Sequence, residues 1–313
     1  CGFIGINFIQ RILKEKESPQ IRIVDNLCVG SRENLDRLAD FREGQTVSKS
    51  VELVVGDILD SELFLDMCKG VDVVVHLAAN TGVLPSIENP ISDCEVNVRG
   101  TLNCLEGARL AGVKRFVFAS SGAPLGHQHP PIHEKMAPRP LSPYGASKLA
   151  GEGYCSAYFG SFGLETVVLR FGNVYGPISA DKFSIVAKFI KLIIAGESLP
   201  IYGDGKQTRD FIYIDDVVEA IRLGTVMPEI GGEIFQIATY RENTVLELAH
   251  CLNHLAEKHL GRKSELIHEQ EKDGEIRRNY SDISKARKLL GFEPRYGLEE
   301  GLEKTFLWFL ENT

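Results

Sequence analysis

Short runs of branched apolar residues alternate with longer segments of helical periodicity along the first half of the chain. The predicted strands are 21–25, 51–55, 71–78, 114–120 and 165–171. The predicted helices are 4–16, 61–69, 91–112 and 144–163. The runs are nearly continuous in apolar residues, which is typical of strands buried on both faces of a sheet. This alternation predicts an α/β fold, a doubly wound parallel sheet with helices on both sides.

The second half of the chain is less regular. After residue 171 the pattern predicts a helix around 181–196, a turn-rich charged segment, a helix beginning near Asp215 or Asp216, and a strand in EIFQIA. Further helices are predicted near 244–260, 283–290 and 298–311. A regular first half followed by a smaller module favours a ligand cleft between the two.

The opening residues, CGFIG, place two glycines directly before a predicted helix. Gly2 and Gly5 have the spacing of the last two glycines in a GxxGxxG-type turn, where a helix N-terminus binds a pyrophosphate. About 20 residues later a predicted strand ends in Asp25, where a carboxylate is expected to hydrogen-bond an adenosine ribose. Such a carboxylate repels a 2′-phosphate, so NAD is favoured over NADP. Asp57, after the strand VELVV, is expected near the adenine.

The strand that should precede these glycines is absent from the sequence. A central strand of about six residues is needed in such a sheet. We therefore expect that the first strand is missing, and that the sequence is a fragment lacking about ten residues.

Composition and charge exclude several classes of protein. With 43% hydrophobic and 25% charged residues, the 313-residue chain has an ordinary globular composition. Its net charge is −8 and no basic patch is evident, so no nucleic-acid partner is expected. The apolar run 183–196 is interrupted by Lys188 and Lys191 and is too short to span a bilayer. No membrane partner is therefore expected.

The cysteines and histidines do not form a recognisable metal site. Seven scattered cysteines, without a CxxC pair, indicate reduced thiols in a cytoplasmic protein. His127, His129 and His133 lie close together, but the two prolines among them favour an extended loop, and no other ligand completes a shell. We therefore predict no bound metal.

Tyr144 and Lys148 in SPYGASKLAGE are spaced by one helical turn, which puts them on one helix face. A lysine ammonium favours the phenolate, which would make tyrosine a usable base. Two serines, Ser120 and Ser121, end the preceding predicted strand, at the edge where ligands of such sheets bind. Asn97 is expected to support the site from the preceding helix. The alternative is a surface helix on which tyrosine and lysine meet by chance.

The chain resembles an extended short-chain dehydrogenase/reductase of the NAD-dependent nucleotide-sugar epimerase/dehydratase family. The matching motifs run in family order over essentially the whole chain: GFIG, VDNLCVGSRENL, GDILD, VVHLAA, NVRGTLN, SPYGASKLAGE, LRFGNVYGP, IYGDGKQTRDFIYIDD and SDISKARKLLGFEP. The resemblance implies a Rossmann-type NAD-binding domain of residues 1–173, to which 211–240 return. It implies that 174–210 and 241–313 form a smaller α/β domain that binds a nucleotide sugar.

The resemblance also implies the site residues. Tyr144 and Lys148 are the implied catalytic pair, with Ser121 as their partner. The implied cofactor contacts are Gly2, Phe3, Ile4, Gly5, Asp25, Asn26, Asp57, Ile58, Leu77, Ala78, Ala79, Asn97, Tyr144 and Lys148. The implied substrate contacts are Ser121, Tyr144, Asn173, Arg209, Lys272 and Arg277.

Some positions depart from the family pattern. In SSGAPLG, counting back from the last glycine makes Ser121 the hydroxyl donor, whereas counting forward places Gly122 there and leaves no donor. Leu125 replaces the usual tyrosine. The 4,6-dehydratases carry an acidic pair where Gly122 and Ala123 stand, and the decarboxylases usually have glutamate at Ala123. Dehydration and decarboxylation are therefore less favoured.

The resemblance predicts a UDP-glucose 4-epimerase-like enzyme that inverts C4 of a UDP-hexose through a transient 4-keto sugar. Relatives use the size of the residue at position 279 to admit or exclude an N-acetyl group. Asn279 has an intermediate size, so hexoses with and without this group are both expected as candidate substrates. The alternatives are a dehydratase or decarboxylase of the same family, or a non-catalytic NAD(H)-binding sensor. The resemblance also implies a homodimer formed through 91–112 and 144–163.

Overall fold

The computed structural model describes residues 1–15, 19–40, 51–180, 184–271 and 277–312. Its strands are β1 (Ile21–Asp25), β2 (Val51–Val55), β3 (Val73–His76), β4 (Arg115–Ser121), β5 (Glu165–Phe171), β6 (Asn173–Tyr175), β7 (Leu199–Tyr202), β8 (Thr208–Arg209), β9 (Phe211–Tyr213), β10 (Glu233–Ile237), β11 (Asn243–Thr244) and β12 (Leu266–Glu269). Its α-helices are α1 (Phe3–Ile12), α2 (Arg32–Asp40), α3 (Ser61–Met67), α4 (Val83–Glu88), α5 (Pro90–Cys94), α6 (Thr101–Leu110), α7 (Pro143–Phe162), α8 (Ile185–Ala195), α9 (Ile214–Val226), α10 (Val245–Leu260) and α11 (Leu298–Asn312).

The central sheet is parallel, with strand order β10-β5-β4-β3. Side chains alternate between the two faces of β4. Phe116 and Phe118 therefore join a core cluster with α6 and α7, whereas Val117 and Ala119 join the cluster that includes α9. Burial on both faces explains why the middles of β4 and β5, FVFA and VVL, are apolar. The predicted α/β fold with a Rossmann-like parallel sheet is confirmed.

β1 and β2 form a separate two-stranded parallel sheet, in which Ile21 is opposite Val51 and Asp25 is opposite Val55. Among the described residues, β1 is not hydrogen-bonded to β3. The cleft described below extends between these two strands, where Val24 and Val74 both line it.

The smaller module is built from short strand pairs and three helices. β6 pairs with β9 and β7 with β12 in parallel, and β8 pairs with β11 antiparallel. Helices α8, α10 and α11 pack together, and their apolar residues belong to the same core cluster as Val117 and Leu169 of the sheet. β10, within 211–240, pairs with β5 of the central sheet. The domain limits themselves stay a prediction.

The predicted helix 91–112 differs most from the structure. A π-helical segment, Glu95–Gly100, separates α5 from α6. Hydrophobic periodicity does not reveal such a segment, because one wider turn barely changes the pattern. π-Helical turns occur frequently at functional sites. The predicted helix 283–290 is likewise π-helical, over Ala286–Leu290.

In the described part of the chain, no helix has both the length and the apolar character needed to cross a bilayer. No group of three or more metal-ligating side chains is found in that part either. All seven cysteines are free thiols, and Cys68, Cys104 and Cys155 are buried among core residues.

Candidate active site

Tyr144 lies in the first turn of α7, directly beyond the carboxyl end of β4. Ser142 caps this helix by accepting a hydrogen bond from the backbone N–H of Gly145 at 3.1 Å. Proline at the first helical position also favours a helix start here. Tyr144 is half-buried and lines a large cleft together with Ser121, the last residue of β4.

The Ser121 hydroxyl lies beside the Tyr144 phenol and lowers its pKa. The Ser121 oxygen accepts a hydrogen bond from the backbone N–H of Ala123 at 3.2 Å. Burial raises the pKa of Tyr144, the neighbouring Ser121 hydroxyl opposes this rise, and Asp93 adds to it. The structure thus brings Ser121 and Tyr144 together, as counting back from Gly126 predicts.

Lys148 is buried behind the cleft wall, with 4% of its surface exposed. Its Nζ donates a hydrogen bond to the Ala119 carbonyl at 2.9 Å and lies 5.0 Å from the ring centroid of Phe118. Burial lowers the pKa of Lys148 to about 8, while Asp93 raises it. The ammonium form therefore still predominates near pH 7. The sequence predicts that Lys148 lowers the pKa of Tyr144. In the structure burial raises this pKa by more than the Ser121 hydroxyl lowers it, and Lys148 is not one of the groups that shift it.

Asn97, in the π-helical segment, connects three parts of the site. Its Nδ2 donates hydrogen bonds to the Asn80 carbonyl at 2.9 Å, to Asp93 Oδ1 at 2.9 Å and to Ser147 Oγ at 3.2 Å. Its Oδ1 accepts a hydrogen bond from the backbone N–H of Asn80 at 2.8 Å. Asn97 therefore fixes the loop after β3 against α5 and α7. Asn97 also supports Tyr144 indirectly, because the Ser147 hydroxyl donates a hydrogen bond to the Tyr144 carbonyl at 3.0 Å.

The residues predicted to bind a dinucleotide gather at the other end of the cleft. Those that line it are Gly2, Phe3, Ile4, Gly5, Asp25, Asn26, Asp57, Ile58, Leu77, Ala78 and Ala79. Asp25 Oδ1 accepts a hydrogen bond from the backbone N–H of Leu27 at 2.7 Å. Asn26 Nδ2 donates to Asp57 Oδ2 at 2.8 Å, which joins the loops after β1 and β2.

The glycine turn fits a dinucleotide pyrophosphate. Gly2 is the N-cap residue of α1, and no side chain caps this helix. A Cβ at Gly2 would meet no atom within 4 Å, so the approach to the helix N-terminus is open. Helix N-termini bind phosphate through backbone N–H groups and the helix dipole. The donor set of this chain therefore suits NAD.

Gly30 is not among the site residues predicted from the sequence, although it lies in the motif VDNLCVGSRENL. A Cβ at Gly30 would come within 2.3 Å of the Cys1 carbonyl carbon and 2.5 Å of the Gly2 nitrogen. Only glycine therefore allows the loop after β1 to pack on the turn. The sequence signal that could have identified Gly30 is its fixed spacing from Asp25, the acidic residue at the end of β1.

The opposite wall of the cleft carries basic side chains. Asn173 begins β6 and Arg209 ends β8, and both line the cleft. Lys188 and Lys191 of α8 line it as well, although the sequence indicated them only as interruptions of an apolar run. Four polar or cationic groups on this wall favour an anionic ligand.

Arg209 is not held by Asp210, its neighbour in sequence. The buried Asp210 carboxylate accepts hydrogen bonds from Thr239 at 2.5 Å and 2.8 Å, from Tyr240 at 3.1 Å and from Ser281 at 3.2 Å. Burial raises the pKa of Asp210 despite these bonds. Arg209 donates a hydrogen bond from Nη1 to the Thr208 carbonyl at 2.7 Å.

Arg277 and Lys272, the remaining predicted substrate contacts, are not among the described residues that line the cleft. Arg277 forms an ion pair with Asp204 at 2.6 Å and a longer one with Glu271 at 3.6 Å. Arg277 holds the pKa of Asp204 down at about 2. Lys272 lies outside the described residues. Substrate contact by either residue stays a prediction.

The cleft has a volume of about 2490 Å³ and runs from the glycine turn past Tyr144 to Arg209. This volume includes the gap between β1 and β3, which Val24 and Val74 line. The arrangement places a serine–tyrosine pair between a dinucleotide-type turn and a basic wall.

Comparison with known proteins identifies the family. The profile of the NAD dependent epimerase/dehydratase family matches residues 1–238. The chain belongs to this family. It is 35% identical to the UDP-glucose 4-epimerase of Mycolicibacterium smegmatis, over 99% of this chain and 96% of that protein. It is 37% identical to the UDP-glucuronate 4-epimerase of Thermodesulfobacterium geofontis, over 100% of this chain and 94% of that protein.

The family also includes other reactions. The chain is 30% identical to a UDP-N-acetyl-alpha-D-glucosaminuronate decarboxylase of Bacillus cytotoxicus, over 99% of this chain and 96% of that protein. Two solved structures are similar to it throughout. The Thermotoga maritima UDP-glucose 4-epimerase with UDP-glucose has a TM-score of 0.87 and 32% identity, covering 99% of this chain and 96% of that chain. The Thermus thermophilus UDP-glucose 4-epimerase with NAD has a TM-score of 0.86 and 32% identity, covering 100% and 97%.

Proposed function

We propose that this protein is an NAD-dependent epimerase that inverts C4 of a UDP-hexose. The observation that carries the proposal is the placement of the Ser121 hydroxyl beside the Tyr144 phenol on the cleft wall. A hydroxyl–phenol pair can bind a sugar alcohol and remove its proton. The pair lies between the glycine turn of a dinucleotide site and the cationic wall that includes Arg209.

In this mechanism, Ser121 hydrogen-bonds the sugar 4-hydroxyl and Tyr144 takes its proton. NAD bound from Gly2 toward Ala79 would supply a positive ring that lowers the pKa of Tyr144, and it would take up and return the C4 hydrogen with its electron pair. Tyr144 then gives its proton back to the newly formed alcohol. Lys148 holds the β4 end in place through the Ala119 carbonyl and keeps a positive charge behind Tyr144.

The substrate diphosphate is proposed to bind Asn173, Arg209 and Lys188 on the opposite wall. A guanidinium matches the geometry of phosphate oxygens, and an ammonium adds a point charge. Strong contacts to the diphosphate combined with weak contacts to the hexose would let the flat 4-keto sugar turn over without leaving. The second hydrogen transfer then reaches the other face of C4.

The family alternatives are less favoured by this site. Elimination of water requires an additional acid and base. The positions between Ser121 and Leu125 carry Gly122, Ala123 and Pro124 instead, and Leu125 is fully buried. A non-catalytic NAD(H)-binding sensor would not need the Ser121 hydroxyl beside the Tyr144 phenol.

We further propose a homodimer formed through 91–112 and 144–163. The supporting observation is an exposed aromatic and apolar surface where α6 meets α7. Leu110, Tyr154 and Phe162 have 55%, 38% and 55% of their surfaces exposed. Arg109 stacks over the Phe162 ring at 4.8 Å. A cytoplasmic location is proposed from the free thiols at all seven cysteines.

The test is product analysis with the intact, NAD-supplemented protein. Separate incubations with UDP-glucose, UDP-N-acetylglucosamine and UDP-glucuronate are analysed by NMR for sugars inverted at C4. Inversion of at least one substrate is expected, with none in the Tyr144→Phe variant. A 4-keto-6-deoxy product or a pentose would indicate dehydration or decarboxylation. Absence of any product from folded, NAD-binding protein would refute the enzymatic proposal and favour the sensor.

A further inference from the structure

Asp93, on α5, is a buried carboxylate beside the candidate catalytic pair, and the mechanism above does not use it. It has 2% of its surface exposed and lines the same cleft as Tyr144. Asp93 Oδ1 accepts the hydrogen bond from Asn97 Nδ2 at 2.9 Å. Asp93 Oδ2 is buried and has no hydrogen-bond partner among the described residues. A buried carboxylate with an unpaired oxygen is costly unless an opposite charge lies nearby.

The buried ammonium of Lys148 lies on the neighbouring helix. Asn97 Nδ2 bonds both Asp93 Oδ1 and Ser147 Oγ, and Ser147 directly precedes Lys148. α5 packs against α7, and Lys148 lies one turn after Tyr144 on α7. Among the groups that raise the pKa of Lys148 against the effect of burial, Asp93 has the largest influence. The same carboxylate raises the pKa of Tyr144. Asp93 therefore stabilises the protonated form of both side chains.

The other groups around Lys148 cannot replace Asp93 in this role. On α7, Glu152 and Cys155 also raise the pKa of Lys148. However, the Glu152 carboxylate forms an ion pair with the buried Arg170 at 2.6 Å and accepts a hydrogen bond from the Ser120 hydroxyl at 2.5 Å. The charge of Glu152 is therefore already balanced by Arg170.

The strands packed against Lys148 bring no other carboxylate to it. On β3, burial lowers the pKa of His76 to about 3, so this side chain is neutral near pH 7. On β4, the described contacts of Lys148 are the Ala119 carbonyl and the Phe118 ring. The group that faces Tyr144 from β4 is the uncharged Ser121 hydroxyl. Asp93 is thus the carboxylate available to balance the charge of Lys148.

We propose that Asp93 is a positioning residue that acts as the counter-ion of Lys148 and thereby sets the pH range in which Tyr144 and Lys148 work. This inference rests on the proposed epimerase function. At high pH the carboxylate delays the loss of the Lys148 charge. At low pH it delays formation of the Tyr144 phenolate. Removal of the carboxylate charge should therefore move both limits of the pH range in the same direction, toward lower pH.

The test compares Asp93→Asn with Glu95→Gln, which removes one carboxylate charge at an exposed position paired with Arg99 at 2.8 Å. In the pH profile of kcat/KM, both limbs of Asp93→Asn should shift down by about one unit, as expected for a nearby charge. The Glu95→Gln profile should match that of the wild type. A merely structural role of Asp93 would lower activity without this joint shift. Asp93→Glu should restore the wild-type profile.

A second readout does not depend on turnover. NMR of protein labelled at tyrosine Cζ, with Tyr144→Phe to assign the signal, reports the titration of Tyr144 directly. This titration should move to lower pH in Asp93→Asn. If the wild type turns over no UDP-sugar but the titration still moves, the proposed function fails and the role of Asp93 stands.

Unchanged titration and an unchanged pH profile in Asp93→Asn would overturn the inference. Asp93→Ser, which leaves room for water beside Asn97, makes the same charge change and replaces Asp93→Asn should that variant not fold. Loss of folding in both variants, measured by thermal unfolding, would assign Asp93 to fold stability alone and also overturn the inference.

Discussion

The two walls of the cleft are built in opposite ways. On the Tyr144 wall, charged and polar groups are buried and paired: Glu152 with Arg170, Lys148 with the Ala119 carbonyl, and Asn97 with three acceptors. The smaller module also buries a bonded carboxylate, Asp210 with Thr239, Tyr240 and Ser281. Its ion pair of Arg278 with Glu242 at 2.7 Å, however, is at the surface. Buried networks hold groups in one geometry, whereas exposed pairs contribute little to stability. A fixed geometry suits the proposed proton transfer at the Tyr144 wall. The opposite wall, which includes Arg209, is proposed to hold the substrate diphosphate.

The largest expected effect is on the chemistry of the Tyr144 wall. Tyr144→Phe removes the proton acceptor and should reduce kcat by a factor of about 10²–10⁴. Binding of NAD should be retained, because the glycine turn and Asp25 lie at the other end of the cleft. Steady-state kinetics and NADH fluorescence titration measure the two quantities. Full activity of this variant would remove Tyr144 from the mechanism.

The next effect compares the ion pairs of the two walls. Arg170→Met leaves the buried Glu152 charge unpaired and should reduce the free energy of unfolding by about 3–5 kcal/mol. Arg278→Met breaks the exposed pair with Glu242 and should cost at most about 1 kcal/mol. Urea unfolding of both variants measures the difference. Equal losses of unfolding free energy in the two variants would show that the buried ion pair is no more important for stability than the exposed one.

Arg209 tests the ligand-holding role of the opposite wall. Loss of a charged hydrogen bond to the substrate diphosphate is worth about 1.5–3 kcal/mol, so Arg209→Met should raise KM by about 10–100-fold. Arg287, which forms an exposed ion pair with Glu293 at 2.7 Å, serves as the control. Arg287→Met should change KM by less than about threefold, as expected for an exposed pair. An equal rise of KM in both variants would contradict the assignment of Arg209 to the diphosphate.

His76 provides a pH test of burial on the Tyr144 wall. The fully buried ring has its pKa lowered from 6.5 to about 3, so below about pH 6.5 the unfolded chain binds a proton that the folded chain does not. Stability should therefore fall as pH falls, by about 1.4 kcal/mol per unit below pH 6. His76→Gln should lose this dependence, whereas His268→Gln, at an exposed position, should keep it. Urea unfolding at about pH 7 and pH 5 measures these slopes; identical slopes in all three proteins would contradict the account.

The elements that sequence could predict are those with a strong local pattern. The middles of β4 and β5 are apolar because both faces are buried, and α7 has Ser142 and Pro143 at its start and Gly163 at its end. The close approach of Ser121 and Tyr144 could also be predicted. Ser121 ends a predicted strand, and Tyr144 begins the predicted helix at the same edge of the sheet.

Other features depend on tertiary packing and left no local pattern. A single aspartate in a helical segment looks like a solvent-facing residue, yet Asp93 is buried beside Lys148. Lys188 and Lys191 looked like interruptions of an apolar run, yet they line the cleft. The raised pKa of Tyr144 reflects burial, which spacing along the chain does not report.

The most direct test of the central claim follows the hydrogen at C4. UDP-glucose carrying deuterium at C4, or the N-acetylated analogue if that is the substrate, is incubated with the protein in ordinary water. If Ser121 and Tyr144 remove only the hydroxyl proton while the C4 hydrogen is held and returned within the cleft, the inverted product should retain all of its deuterium. Loss of deuterium to the solvent on inversion would contradict the account.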